Sequence, residues 1–225
     1  MKVKAIIFGT TGMVGEGVLH ECLAHPDVGS VLLINRRHYK IVNSTENTKI
    51  KEILHNDFFN FGSLKEEFKK YNACFFCMGV SSMGKKEEAY KRITYDITMA
   101  AAKEISKVNP KMTFTYVSGE GTDSSEKGRM MWARVKGKTE NDLLKLFKSA
   151  YMFRPAFIQP TRGLKNTYLF YKIITPLIPL LKIIAPKYIC SLKEVGLAMI
   201  NCVTKGYSKQ HLEVADIKEL AKSNE

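Results

Sequence analysis

The chain is poor in acidic residues, with 22 Asp and Glu against 35 Lys and Arg, a formal net charge of +13 over 225 residues. Such a surplus suits nucleic acid, a membrane surface, an anionic ligand or a plain lysine-rich surface, and it decides nothing about fold. Cysteines are few, odd in number and scattered (Cys22, Cys74, Cys77, Cys190, Cys202), which argues against a disulfide framework. No uncharged apolar run reaches the roughly 20 residues that cross a bilayer. The opening Met-Lys-Val-Lys imitates a signal peptide, but glycines interrupt the apolar run after residue 8. The expected setting is therefore soluble, reducing and cytoplasmic. The five histidines lack ligand spacing, so no metal is expected. A G-x-S-x-G elbow is absent, which disfavours an acyl hydrolase. Cys74-Phe75-Phe76-Cys77 has C-x-x-C spacing, but on a strand those sulfurs face opposite sides. With 45% hydrophobic and 25% charged residues, disorder, collagen and coiled coil are poor readings.

What is present alternates. Short apolar, β-prone runs fall at residues 4–8, 30–34, 50–54, 73–78, 112–117 and 151–156. Helical spacing fills 13–24, 64–70, 87–107 and 130–149 between them. This order predicts an α/β fold, a doubly wound parallel sheet covered on both faces, with a small C-terminal helical portion. The chain reads as a single domain over 1–225, with 157–225 as a small substrate-side cap. The apolar stretch 169–185 carries Lys172, Lys182, Pro176 and Pro179, which argue against a span and for two short helices. A peripheral membrane contact there is a third-ranked reading. A further amphipathic helix is expected at 192–203.

Such sheets bind ligands at the carboxyl ends of their strands. After the first strand comes Gly9-Thr10-Thr11-Gly12-Met13-Val14-Gly15, with the spacing G-x-x-G-x-x-G. The first glycine permits a tight turn, the second a close approach to a pyrophosphate, the third helix-on-strand packing. The helix start then offers N–H groups to phosphates. The strand–loop–helix context makes this a dinucleotide site. Twenty residues beyond Gly15, where a carboxylate would hold the ribose of NAD, stand Asn35, Arg36 and Arg37. Arginine pairs with a 2′-phosphate through a fork, so NADP(H) is favoured over NAD(H). Asp57 and Phe58 after the third strand either contact the adenine or cap the next turn. Gly79 follows the fourth strand at the same edge.

With those residues in view, the chain resembles the short-chain dehydrogenase/reductase superfamily, in its atypical and extended, epimerase/dehydratase-like branches. It looks closest there to the group related to the human Tat-interacting protein. The markers are Gly9 to Gly15, the strand ending at Ser118, Val135-Lys136-Gly137, and Arg154-Pro155. The resemblance covers nearly the whole chain, weakening after about Gly163. It implies Y-x-x-x-K on the helix after strand five, the tyrosine moving a proton and the lysine binding the nicotinamide ribose. Here the segment is Trp132-Ala133-Arg134-Val135-Lys136. The lysine matches, but an indole cannot exchange a proton near neutral pH. Trp132, the sole tryptophan, either packs on the cofactor or is a core residue. Ser118 matches the first of the serines that follow the strand, and Glu120, Thr122 and Ser124 compete to supply the other polar group.

The expectation is an NADP(H)-binding oxidoreductase-like protein acting on an unknown small molecule, with Lys136, Ser118 and Trp132 at its centre. Pro155 joins the cofactor-binding set. The alternative is a non-catalytic NADP(H) sensor. If Lys127, Arg129, Arg134, Lys138, Arg162 and Lys165 line the mouth with Lys136, the substrate is anionic. No nucleic-acid recognition module is visible, no transmembrane segment is expected, and a homodimer is allowed.

Overall fold

Val3–Phe8 (β1) is a run of β-formers buried on both faces apart from Lys4, as a central parallel strand must be. The computed structural model describes residues 2–39, 48–161, 163, 164, 166 and 184–222. From β1 the chain alternates through α1 (Met13–Ala24), β2 (Val28–Asn35), β3 (Ile50–Leu54), α2 (Lys65–Phe68) and β4 (Ala73–Phe76). It continues through α3 (Glu87–Lys91), α4 (Ile97–Val108), β5 (Thr113–Val117), α5 (Met131–Leu146), β6 (Ala150–Arg154) and β7 (Phe157–Gln159). The described C-terminal part holds β8 (Ile189–Ser191), α6 (Leu192–Thr204), β9 (His211–Glu213) and α7 (Val214–Lys222).

Seven strands pair in the order β3-β2-β1-β4-β5-β6-β9, every neighbour parallel. This is the doubly wound Rossmann arrangement expected of the sequence. Strand order reverses at β1, whose neighbours are β2 and β4, and that reversal opens the crevice where such sheets take ligands. One face packs on α1, α6 and α7 through residues such as Val18, Leu192, Met199 and Ile217. The other packs on α2, α4 and α5 through a row of aromatic rings. Phe8 and Phe76 have centroids 5.0 Å apart, Phe76 and Phe114 6.1 Å, Phe114 and Phe147 4.9 Å. Rings at such spacings add pair energy to the area they bury.

Three features depart from the expected order. The 87–108 helical stretch contains one π-helical segment, Arg92–Asp96, whose extra residue shifts the buried face between Tyr90 and Ile97. The segment 157–225 contributes to the main sheet: β9 joins it beside β6, and α6 and α7 cover one of its faces. β7 and β8 form a separate parallel pair. The helix expected at 192–203 is α6, begun by a capping box in which Ser191 and Glu194 bond reciprocally. Most of 169–185 lies outside the described residues.

Cys74 and Cys77 fall in opposite cores, as strand alternation requires. Burial pushes both thiols up, Cys77 to about 12, so neither is a thiolate near neutral pH.

Candidate functional site

At the carboxyl end of β1, Gly9 takes φ +85°, and the Gly12 N–H donates to Gly9 O at 2.9 Å to close the turn. A Cβ on Gly15 would lie 2.2 Å from Gly9 O, so α1 seats against the strand only with glycine there. Met13 is buried, Val14 half-buried, and Thr11 exposed at the tip of the loop. The first turn of α1 receives no side-chain cap from Gly12. Across the switch point, Gly79 follows β4 with open space where a Cβ would lie.

At the far end of the crevice, Asn35 is buried and its amide is spent internally. Its Oδ1 accepts from Thr10 Oγ1 at 2.8 Å, and its Nδ2 donates to Glu52 Oε1 at 2.8 Å. Asn35 therefore ties the glycine loop to β3. Glu52 was not read from the sequence, because it sits inside a strand and two residues before its end. Its carboxylate also accepts from Tyr39 N–H and lies 2.9 Å from His38 Nδ1. Burial would raise its pKa, but the donors from Asn35, Tyr39 and His38 outweigh that and hold it below the ordinary range. Arg36 and Arg37 are exposed. The Arg36 guanidinium stands 5.9 Å from the Phe58 ring centroid. Phe58 itself is packed against Phe61 and His55. Asp57 takes the capping role: its Oδ1 accepts from Phe59 N–H at 2.9 Å.

At the other end, α5 brings Lys136 to β5, where its ammonium donates to the Ser118 carbonyl. Burial pushes the Lys136 pKa down to about 8, with Glu140 opposing. Ser118 Oγ donates to Glu140 Oε1 at 2.5 Å and approaches Phe153 O at 3.1 Å. Its one proton is thus committed, and toward a ligand it can only accept. Glu140 is fully buried one turn beyond Lys136, and the Arg154 guanidinium grips it through Nε and Nη2. Arg154 also donates to Ser124 Oγ at 2.6 Å and lies 3.6 Å from Glu213 on β9. His211 Nε2 stands 3.5 Å from the same Glu140 carboxylate. This cluster joins α5, β5, β6 and β9 beneath the cleft. Its sequence signal was slight: Glu140 is four residues past Lys136, hence on the same helical face.

The loop after β5 is fixed to α5. Asp123 N–H donates to Ala133 O, and a Cβ on Gly137 would lie 1.8 Å from Asp123 O. The loop and α5 wall a cleft of about 570 Å³ with Ser118, Glu120, Trp132 and Pro155 among its lining residues. Of the three residues competing to supply the further polar group, only Glu120 lines it. Thr122 Oγ1 is turned to Gly119 O, and Ser124 to Arg154. Of the cations expected at the mouth, Lys127 and Arg129 are exposed and line no part of the cleft, and two others are engaged elsewhere. Arg134 binds Glu87 and the carbonyls of Gly128 and Arg129, and Lys138 pairs with Asp142. Arg162 and Lys165 lie outside the described residues. Among the described residues no group of His, Cys, Asp and Glu could hold a metal ion, and no helix is long and apolar enough to cross a membrane.

No family profile matches the chain. It is similar to the protein FMP52, mitochondrial, of Meyerozyma guilliermondii, 27% identical over 161 residues, which cover 69% of this chain and 65% of that protein. The FMP52 protein of Candida glabrata is 30% identical over 158 residues, covering 69% and 64%. The chain thus spans a little under two thirds of these relatives. They correct two expectations. They are FMP52 proteins, not members of the Tat-interacting-protein-like group, and their names place them in mitochondria, which overturns the cytoplasmic expectation.

Solved structures show the fold. A UDP-N-acetylglucosamine 4-epimerase from Bacillus cereus superposes with a TM-score of 0.66 at 11% identity, over 97% of this chain and 84% of that one. A dTDP-glucose 4,6-dehydratase from Bacillus anthracis, in complex with NAD, gives 0.65 at 11% identity, over 96% and 79%. The enzyme WbmF of Bordetella bronchiseptica, in complex with NAD+, gives 0.64 at 12% identity, over 97% and 77%.

Proposed function

We propose that the chain binds a nicotinamide dinucleotide along the carboxyl edge of its sheet, NADP(H) in preference to NAD(H), and acts as an oxidoreductase-like protein on a small molecule. The observation that carries this is the glycine loop at the switch point, where Gly15 lets α1 seat so close that its first turn faces the crevice. Gly9, Thr11, Gly12, Met13 and Val14 would hold the pyrophosphate. Arg36 and Arg37 would hold the 2′-phosphate, with Asn35, Asp57 and Phe58 shaping the adenosine end. Gly79, Pro155 and Lys136 would flank the nicotinamide half. The bound dinucleotide would supply the hydride, and the chain's residues would position it and the substrate. The NAD-bound neighbours support the dinucleotide in general but not the choice between its two forms. The relatives' names support a mitochondrial setting for this chain.

A second reading, a dinucleotide sensor without turnover, is favoured by Trp132 in the tyrosine position and by the committed proton of Ser118. Following NADPH oxidation by purified protein with a panel of carbonyl compounds separates the two. Steady turnover supports the oxidoreductase, and tight binding without turnover supports the sensor.

A further inference from the structure

The cleft beside Trp132 is lined mostly by rings and hydrocarbon. Trp132 and Tyr188 line it, with Phe157, Ile158 and Pro155. Tyr188, on the turn before β8, is 43% exposed although it is a large aromatic residue. Among the described lining residues the one charged side chain is Glu120, an exposed carboxylate. Lys127 and Arg129 are exposed and are not among the lining residues, and four other nearby cations are held by other groups. Lys136 donates to the Ser118 carbonyl, Arg154 is gripped on Glu140, Arg134 reaches Glu87, and Lys138 reaches Asp142. A sugar nucleotide brings a diphosphate, which needs donors and positive charge that these described residues do not offer. An uncharged ring loses no solvated charge on entry and gains apolar area against Trp132, Phe157 and Tyr188.

We infer that this cleft takes an uncharged, aromatic carbonyl compound, and that Glu120 selects against anionic ligands. The inference rests on reading the cleft as the substrate end of the dinucleotide site, and it is tested without cofactor so that the two can fail separately. Trp132 is the sole tryptophan, so the chain gives one indole N–H cross-peak in a nitrogen–proton correlation spectrum, and that peak reports on the cleft directly. The probes are 4-acetylbiphenyl, biphenyl-4-carboxylate and UDP-N-acetylglucosamine. The ketone should move the indole peak saturably, and the sugar nucleotide should leave it in place. The carboxylate, with the same two rings, should bind about fivefold more weakly, because like charges at close range repel even beside an exposed carboxylate such as Glu120. Glu120→Gln should bring ketone and carboxylate to within about twofold of each other. A saturable shift with UDP-N-acetylglucosamine, equal binding of ketone and carboxylate to the unmodified chain, or no response to the ketone would overturn the inference. Calorimetry with NADPH is run alongside: silence there removes the dinucleotide reading and leaves the cleft titration standing.

Discussion

Trp132 and Lys136 are four residues apart on α5 and share a helical face. If a phenol at 132 would face the nicotinamide, Trp132→Tyr puts a proton donor beside an ammonium that favours the phenolate. Carbonyl reduction should rise by about 10²–10⁴-fold where a carbonyl compound binds, the usual contribution of general acid catalysis. The same change in a Lys136→Ala background should do little, and NADPH oxidation rates compare the two. Lys136 also predicts a pH dependence of stability. Its folded-state pKa is about 8, below the 10.5 of an ordinary lysine. Between those values the unfolded chain binds more protons, so stability rises with pH. The cost of burying the charged amine is full below pH 8 and fades toward 10.5. Urea unfolding of Lys136→Met should lack this rise relative to the unmodified chain.

Helix α5 carries more than the pair at 132 and 136. Gly137 admits the loop after β5 against its backbone, and Glu140 anchors Arg154 and Ser118 below the cleft. Removing one partner of a buried ion pair strands the other, so Glu140→Ala should cost about 3–5 kcal/mol. Pairing it with Arg154→Met should return part of that loss, because the guanidinium is then no longer stranded, although Lys136 still lacks its carboxylate neighbour. Denaturant midpoints of the two single variants and the double variant measure the coupling. A double variant as unstable as the sum of the singles would contradict it. Elements with a pattern of their own were legible in the sequence. The six strands were, because runs such as Val31 to Ile34 are apolar on both faces, and so was the glycine loop, whose spacing is a steric requirement. β9 was not, since His211-Leu212-Glu213 offers one apolar residue and owes its place to Met152, Phe153 and Arg154 across the register. Glu52 was invisible and Glu140 nearly so for a related reason: a carboxylate's partners come from distant segments, and only the spacing of Glu140 from Lys136 hinted at one.

Across the whole molecule, the strand order brings the ends of β1, β2 and β4 to one crevice and the ends of β5 and β6 to the cleft beside it. The residues nominated for cofactor and substrate thus lie along a single edge although they come from positions 9 to 155 of the chain. Surface pairs such as Lys69 with Glu66 and Lys145 with Asp142 cancel within themselves, so the +13 is carried by the cations left over. Arg36 and Arg37 are exposed just past β2, where the proposed adenosine end would lie, and there the central claim is decided. Titration calorimetry with NADPH and with NADH tests it most directly. The account predicts that NADPH binds at least about tenfold more tightly, since charge-assisted hydrogen bonds to a phosphate contribute on the order of 1.5–3 kcal/mol. Arg36→Ala should erase most of that difference, and Gly15→Ala should abolish binding of both. No heat with either dinucleotide, or a preference for NADH that Arg36→Ala leaves unchanged, would contradict the account.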